Sequence, residues 1–197
     1  MIYSGGDIRP IRSQIVEYSI DCAKVPIMSH SDDKFPPLLA ELNKLEYDYA
    51  EGIDFEPYSE FLDNEQSNAW FKAWTGNDSA DGSSFRIFGQ DGTGGYAGFW
   101  ITDTDRSLLD QSVVFLGSEG EAGVIASSFD DYLWLLAHGV GPYEAVAYPD
   151  LETDTNEQFL AFAERHSAKG RTESKKIIEQ AKLNHPTFPS WLDSLCG

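Results

Sequence analysis

The segment Gly92-Thr93-Gly94-Gly95-Tyr96-Ala97 spells G-x-G-x-x-A, the dinucleotide fingerprint. Such a loop holds a pyrophosphate only where it joins a strand to a helix, whose first amides and dipole face the anion. A strand-like run, Phe85 to Phe88, precedes the glycines. The run after them, Tyr96-Ala-Gly-Phe-Trp-Ile-Thr102, is aromatic and β-branched, with no helical spacing. Asp91 also puts a carboxylate where a phosphate would sit, and the Lys-Ser/Thr pair of a P-loop is missing. The glycines therefore read as a hairpin turn. Asp91-Gly92 is strong turn chemistry, and Gly94-Gly95 admit positive φ or close backbone approach.

Other residues of chemical type fare similarly. Glu119 and Glu121 have the spacing of paired carboxylates on a strand, but they lie in the glycine-rich stretch Leu116-Gly-Ser-Glu-Gly-Glu-Ala-Gly123 and read as exposed turn acids. Ser118 in the same stretch does not satisfy the G-x-S-x-G nucleophile elbow. Asp103-Thr-Asp105 opens like a calcium loop, yet Arg106 and Leu108 displace its glycine and later ligands, which leaves a turn. His30, His138, His166 and His185 have no metal spacing and no nucleophile nearby in sequence. Cys22 and Cys196 alone make neither a four-ligand metal site nor a disulfide framework. The expectation is a chain with no catalytic, cofactor or metal site. A small enzyme is retained only as a reading that a deep pocket with a buried carboxylate or histidine would revive.

Charge narrows the partner. The chain of 197 residues carries 14 Lys and Arg against 33 Asp and Glu, a net of −19. The imbalance is concentrated between Leu45 and Glu164, where 24 acids face only Lys72, Arg86 and Arg106. Phosphate contacts and anionic lipid both need cations, so nucleic acid and membrane surfaces are disfavoured as partners. Acidity of this kind serves solubility, and it also fits a face that meets a basic protein. No apolar run approaches the length of a membrane span, and the N-terminus lacks the pattern of a secretory signal, so a cytoplasmic protein is expected.

The elements that would position these residues read as one α+β domain, a mainly antiparallel sheet of short hairpin-joined strands flanked by helices. Leu38, Leu39, Leu42, Leu45 and Tyr49 come after Pro36-Pro37 at helical spacing, with Gly52 as the stop. A second helical stretch is expected from Pro57 through Trp70, Phe71 and Trp74 to Gly76. Strands are expected at Phe85 to Phe88, Tyr96 to Ile101, Val113 to Leu116 and Val124 to Ala126. Ser127 or Ser128, with an Asp three residues on, caps a helix striped by Phe129, Leu133 and Leu136 and stopped by Gly139. Trp134 falls off that stripe and is expected to be exposed. His138 is placed as a cap in its last turn. Further helices are expected from Asp154 to Gly170, with His166 packed beside Phe162, and from Thr172 to about Asn184. Pro186 to Trp191 should then dock its aromatics on the body.

Trp74-Thr-Gly-Asn77, Phe85-Arg-Ile-Phe-Gly-Gln-Asp-Gly-Thr-Gly-Gly-Tyr96, Val113-Val-Phe-Leu-Gly-Ser-Glu-Gly-Glu121 and Phe129-Asp-Asp-Tyr-Leu-Trp-Leu-Leu136, in that order, resemble the SUKH superfamily. The family comprises bacterial immunity proteins of polymorphic toxin systems and fungal cell-wall-assembly regulators. The resemblance covers roughly residues 35 to 145. It divides the chain into an N-terminal extension (1–34), a SUKH-like domain (35–150) and a C-terminal helical extension packed on it (151–197). It implies a non-enzymatic protein-binding role: an immunity protein that neutralises a cognate toxin, such as a basic nuclease, or alternatively an intracellular scaffold or regulator. Acids near the hairpin loops, Asp91, Asp103, Asp105, Glu119 and Glu121, with Tyr96 and Trp100 as aromatic anchors, are the candidate contact residues.

Overall fold

Two hairpin turns and a third connection fold four apolar runs into an antiparallel meander. The computed structural model describes residues 34–47 and 53–197. Its strands are β1 (Glu56–Pro57), β2 (Phe85–Gln90), β3 (Tyr96–Trp100), β4 (Ser112–Leu116) and β5 (Ala122–Ala126). They lie side by side in chain order, every pair antiparallel. The helices are α1 (Pro37–Leu42), α2 (Asn64–Thr75), α3 (Phe129–Ala137), α4 (Pro142–Ala147), α5 (Glu157–His166), α6 (Ser174–Asn184) and α7 (Phe188–Asp193). The expected α+β class, one domain with an antiparallel sheet and flanking helices, is what the described residues adopt.

Helices cover both faces of the sheet, which explains why β4 reads Ser-Val-Val-Phe-Leu without polar alternation: all five residues are buried. Successive side chains on a strand point to opposite faces. Ala97, Phe99, Val113, Phe115 and Ile125 pack into one core with residues of α1, α3 and α5. Phe85, Ile87, Val114, Leu116 and Val124 pack into a second with Phe71 of α2, Ala181 of α6, and Phe188 and Leu192 of α7. Residues 151–197 thus contribute to both cores. α3 is buried nearly all round, seven of its nine residues, because α5 and α6 as well as the sheet lie against it.

Local chemistry corrects several expected boundaries. α1 ends at Leu42; Asn43 comes next as its cap, and its Nδ2 donates to Tyr58 O at 2.8 Å. The expected stop at Gly52, and Tyr49 with it, lie outside the described residues, as does the N-terminal extension apart from Lys34. Pro57 does not start a helix. It belongs to β1, and the chain beyond it runs along β2, with Tyr58 N donating to Phe88 O (2.8 Å) and Leu62 N to Ile87 O (3.0 Å). α2 waits for Asp63, whose carboxylate accepts from Gln66 N at 2.8 Å, and stops at Gly76 with φ of 64°. α5 likewise starts behind Asn156, not Asp154, and ends at His166, not Gly170. The chain released there crosses α3, so Trp134 is 4 % exposed instead of open, its indole N–H shared between Ser167 Oγ and Lys169 O at 3.1 Å each.

Candidate functional site

The β2–β3 turn is built around Asp91. Its Oδ1 accepts from Gly95 N (2.8 Å), Thr93 N (2.9 Å) and Thr93 Oγ1 (2.9 Å), while Gly94 takes a φ of 92°. A side chain on Gly95 would put its Cβ 2.5 Å from the Phe115 ring. Both glycines are required by the turn and by close packing, and Tyr96 begins a strand, not a helix. The fingerprint at Gly92–Ala97 therefore lacks the helix N-terminus that would receive a pyrophosphate.

The β4–β5 turn lies against this one, Ser118 Oγ donating to Thr93 Oγ1 at 3.1 Å. It closes through Gly117 N to Glu121 O at 2.6 Å. The indole of Trp74, at the end of α2, fastens it from one side, Nε1 donating to Gly117 O at 2.7 Å. Asp54 approaches the first turn and accepts from Gly92 N at 3.2 Å. Glu56, paired opposite Gln90, accepts from its Nε2 at 2.9 Å. α4 completes this end of the molecule. Burial, reinforced by the negative charges of Asp54 and Asp91, raises the Glu144 carboxyl above its ordinary range. A hydrogen bond with Tyr148 and the charges of Tyr148, Glu121 and Glu144 raise the Tyr143 phenol. Asp54, Glu56, Glu119, Glu121 and Glu144 thus converge at the turn end. The ion pairs among the described residues, Lys169–Asp131, Lys175–Asp150 and Lys176–Glu173, involve none of them.

The sequence-selected contact residues do not form one surface. Asp91 is 3 % exposed and its carboxylate is spent on the turn, so it is withdrawn as a contact residue. Tyr96 lies edge-on to Trp70, with centroids 4.7 Å apart. Trp100 is covered by α7, meeting Phe188 at 4.8 Å and Trp191 at 5.1 Å, and it also meets His185 at 5.2 Å. Neither aromatic stands free as an anchor. Asp103 and Asp105 are exposed, but they sit in the β3–β4 connection at the opposite end of the sheet, and Asp103 Oδ1 accepts from Asp105 N at 2.9 Å as a turn. Of the candidates at the turn end, Glu119, exposed, and Glu121, half-buried, are the acids left to meet a partner. Asp54, Glu144, Tyr143 and Tyr148 join them there, although nothing in their sequence context selects them. Gly141-Pro142, glycine before a proline at the first helical position, was the available signal for α4.

The far end holds a second polar cluster that sequence inspection also missed. Ser112 Oγ and His185 Nε2 are 2.7 Å apart, beside a cleft of about 510 Å³ that Arg106, Asp110, Asp130 and Lys169 help to line. Burial, and then the charge of Arg106, lowers the His185 imidazole below its ordinary value. The spacing resembles a nucleophile and its base, but Ser112 is 2 % exposed, and no carboxylate is hydrogen-bonded to the ring among the described residues. The pair ties the end of α6 to the sheet. His138 Nε2 similarly meets Thr172 O at 2.9 Å and fastens the chain before α6 to α3.

No family model, curated protein or solved structure matches the chain. Among the described residues no helix is long and apolar enough to cross a membrane. No group of three His, Cys, Asp or Glu side chains there is arranged to hold a metal ion.

Proposed function

We propose that the chain is a non-enzymatic protein-binding protein, an immunity protein that neutralises a basic toxin domain by docking it on the turn end. The observation that supports this reading is the set of five carboxylates, Asp54, Glu56, Glu119, Glu121 and Glu144, gathered there outside every described ion pair. Like charges gathered at one place attract an oppositely charged surface, raise its rate of encounter and repel partners of like sign. A nuclease that holds phosphates with lysine and arginine presents the complementary sign. The ordered motifs resembling the SUKH superfamily point the same way.

Co-expression with any toxic domain found encoded beside the chain tests the reading. Protection of growth, with both proteins recovered as one complex, is the expected result; failure to protect against, or bind, any neighbouring toxin rejects it. In the isolated complex, the triple variant Glu56→Gln, Glu119→Gln, Glu121→Gln should slow association about tenfold at low salt, and the deficit should shrink near 0.3 M NaCl. Stopped-flow association rates at the two ionic strengths provide the check.

A further inference from the structure

The exposed large hydrophobic residues of the described chain are Tyr148 (56 % exposed), Leu151 (45 %) and Leu183 (72 %). Leu183 stands apart on α6, whereas Tyr148 and Leu151 are three residues apart where α4 ends. Isolated surface leucines are ordinary; two large apolar side chains beside an acidic end are a different matter. Tyr148 is braced: its ring meets Tyr143 edge-on at 6.0 Å, and Tyr143 meets the buried Phe115 at 6.1 Å. An aromatic already held in place loses little freedom when it is covered. Leu151 borders an open groove of about 530 Å³, whose lining includes His138, Pro149, Glu152 and Glu173. From Glu144 to Glu157 the chain has five acids and no Lys or Arg.

We propose that Tyr148 and Leu151 are the apolar anchors of the protein contact, and that the segment they receive is a basic stretch of polypeptide carrying an apolar side chain between lysines or arginines. The inference rests on the protein-binding reading and adds to it the place and chemistry of the contact. Apolar anchors inside a charged rim are the usual anatomy of an interface centre. The rim's sign selects the occupant. Anionic lipid and nucleic acid are repelled by Glu144, Glu152 and Asp154, and a second copy of the chain would bring the same acids to the same place. Lys175, the cation on the groove lining, is paired with Asp150 at 2.6 Å, so the surface it offers is already neutralised.

Two peptides separate anchor from charge: Lys-Lys-Lys-Trp-Leu-Lys-Lys-Lys and octalysine, each titrated at low salt into the full chain labelled with ¹⁵N. The mixed peptide should bind about fivefold or more tighter than octalysine, and its shift changes should centre on residues 143–152. Tyr148→Ala with Leu151→Ser should reduce its affinity to the octalysine level, while Leu183→Ser should leave it unchanged. Circular dichroism of each variant confirms the fold; both substituted sites are exposed. Equal binding of the two peptides, insensitivity to the double variant, or shifts centred on α6 overturns the anchor while leaving an acidic docking surface intact. Binding of neither peptide overturns both the anchor and the reading beneath it.

Discussion

At the scale of single residues, the acids of this chain divide by what their oxygens already hold. Asp91 looks in sequence like its neighbours in other turns, yet it is buried with three hydrogen bonds, while Glu119 is exposed. Asp91→Ala should cost about 2–3 kcal/mol, since it leaves turn donors without their charged acceptor; Glu119→Ala should change stability by less than about 0.5 kcal/mol. Urea unfolding of the two variants provides the comparison. His185 and Glu144 supply opposite pH signatures. The folded His185 has its affinity for protons lowered, so the unfolded chain takes up a proton first. Its stabilising contribution is complete above the ordinary imidazole value of about 6.5 and is lost as pH falls through the folded value. Glu144 is raised, so its folded form holds the proton more tightly and its contribution to stability grows as pH falls through that range. Thermal unfolding from pH 7.5 to 4 should show the wild type losing stability toward pH 5 faster than His185→Gln. Glu144→Gln should remove the opposing contribution at the lower end.

At the scale of elements, the structure assigns α7 the task of closing one face of the sheet. Phe188 is 1 % exposed and meets Trp100 edge-on, and Leu192 is buried beside it. Phe188→Ala should cost about 3–5 kcal/mol through the cavity and lost transfer energy, and it should move Trp100 and Trp191 emission to longer wavelength; denaturant titration monitored by fluorescence measures both. Strands β2 to β5 and the cap of α3 were legible in sequence because each is written locally. Glycine-bounded β-branched runs specify β2 to β5, and Ser128 before Asp131 specifies the start of α3. The start of α2 was obscured because Pro57, Tyr58 and Phe61 imitate helical spacing while β2 draws their backbone into extended hydrogen bonding. Trp134 illustrates the same limit from the other side. Its stripe position left it outside the expected core, and the covering groups, Ser167 and Lys169, come from 33 and 35 residues away. The candidate contact surface was legible only in part for a related reason. Glu119 and Glu121 announce themselves by turn chemistry, but Asp54, Glu144 and Tyr148 reach the same end by tertiary folding alone.

At the scale of the whole molecule, a net charge of −19 sets a background against which every local contribution acts. Mutual repulsion among the carboxylates opposes compaction, and dissolved salt relieves it. The thermal midpoint should therefore rise by about 2–6 °C between 20 and 300 mM NaCl, a shift equivalent to roughly 1–2 kcal/mol for a chain of this size; differential scanning calorimetry checks it. The sheet's neighbour-to-neighbour order has a kinetic consequence. Hairpins close over short loops, so β2 to β5 are free to assemble early during refolding. The clasp between Asn77 Nδ2 and Leu195 O, 2.9 Å long, spans 118 residues and depends on α7 arriving. Until that seam shuts, Trp100 and the apolar strand residues beside it face water, and the interval between the two events is when chains at high concentration are most prone to stick to one another.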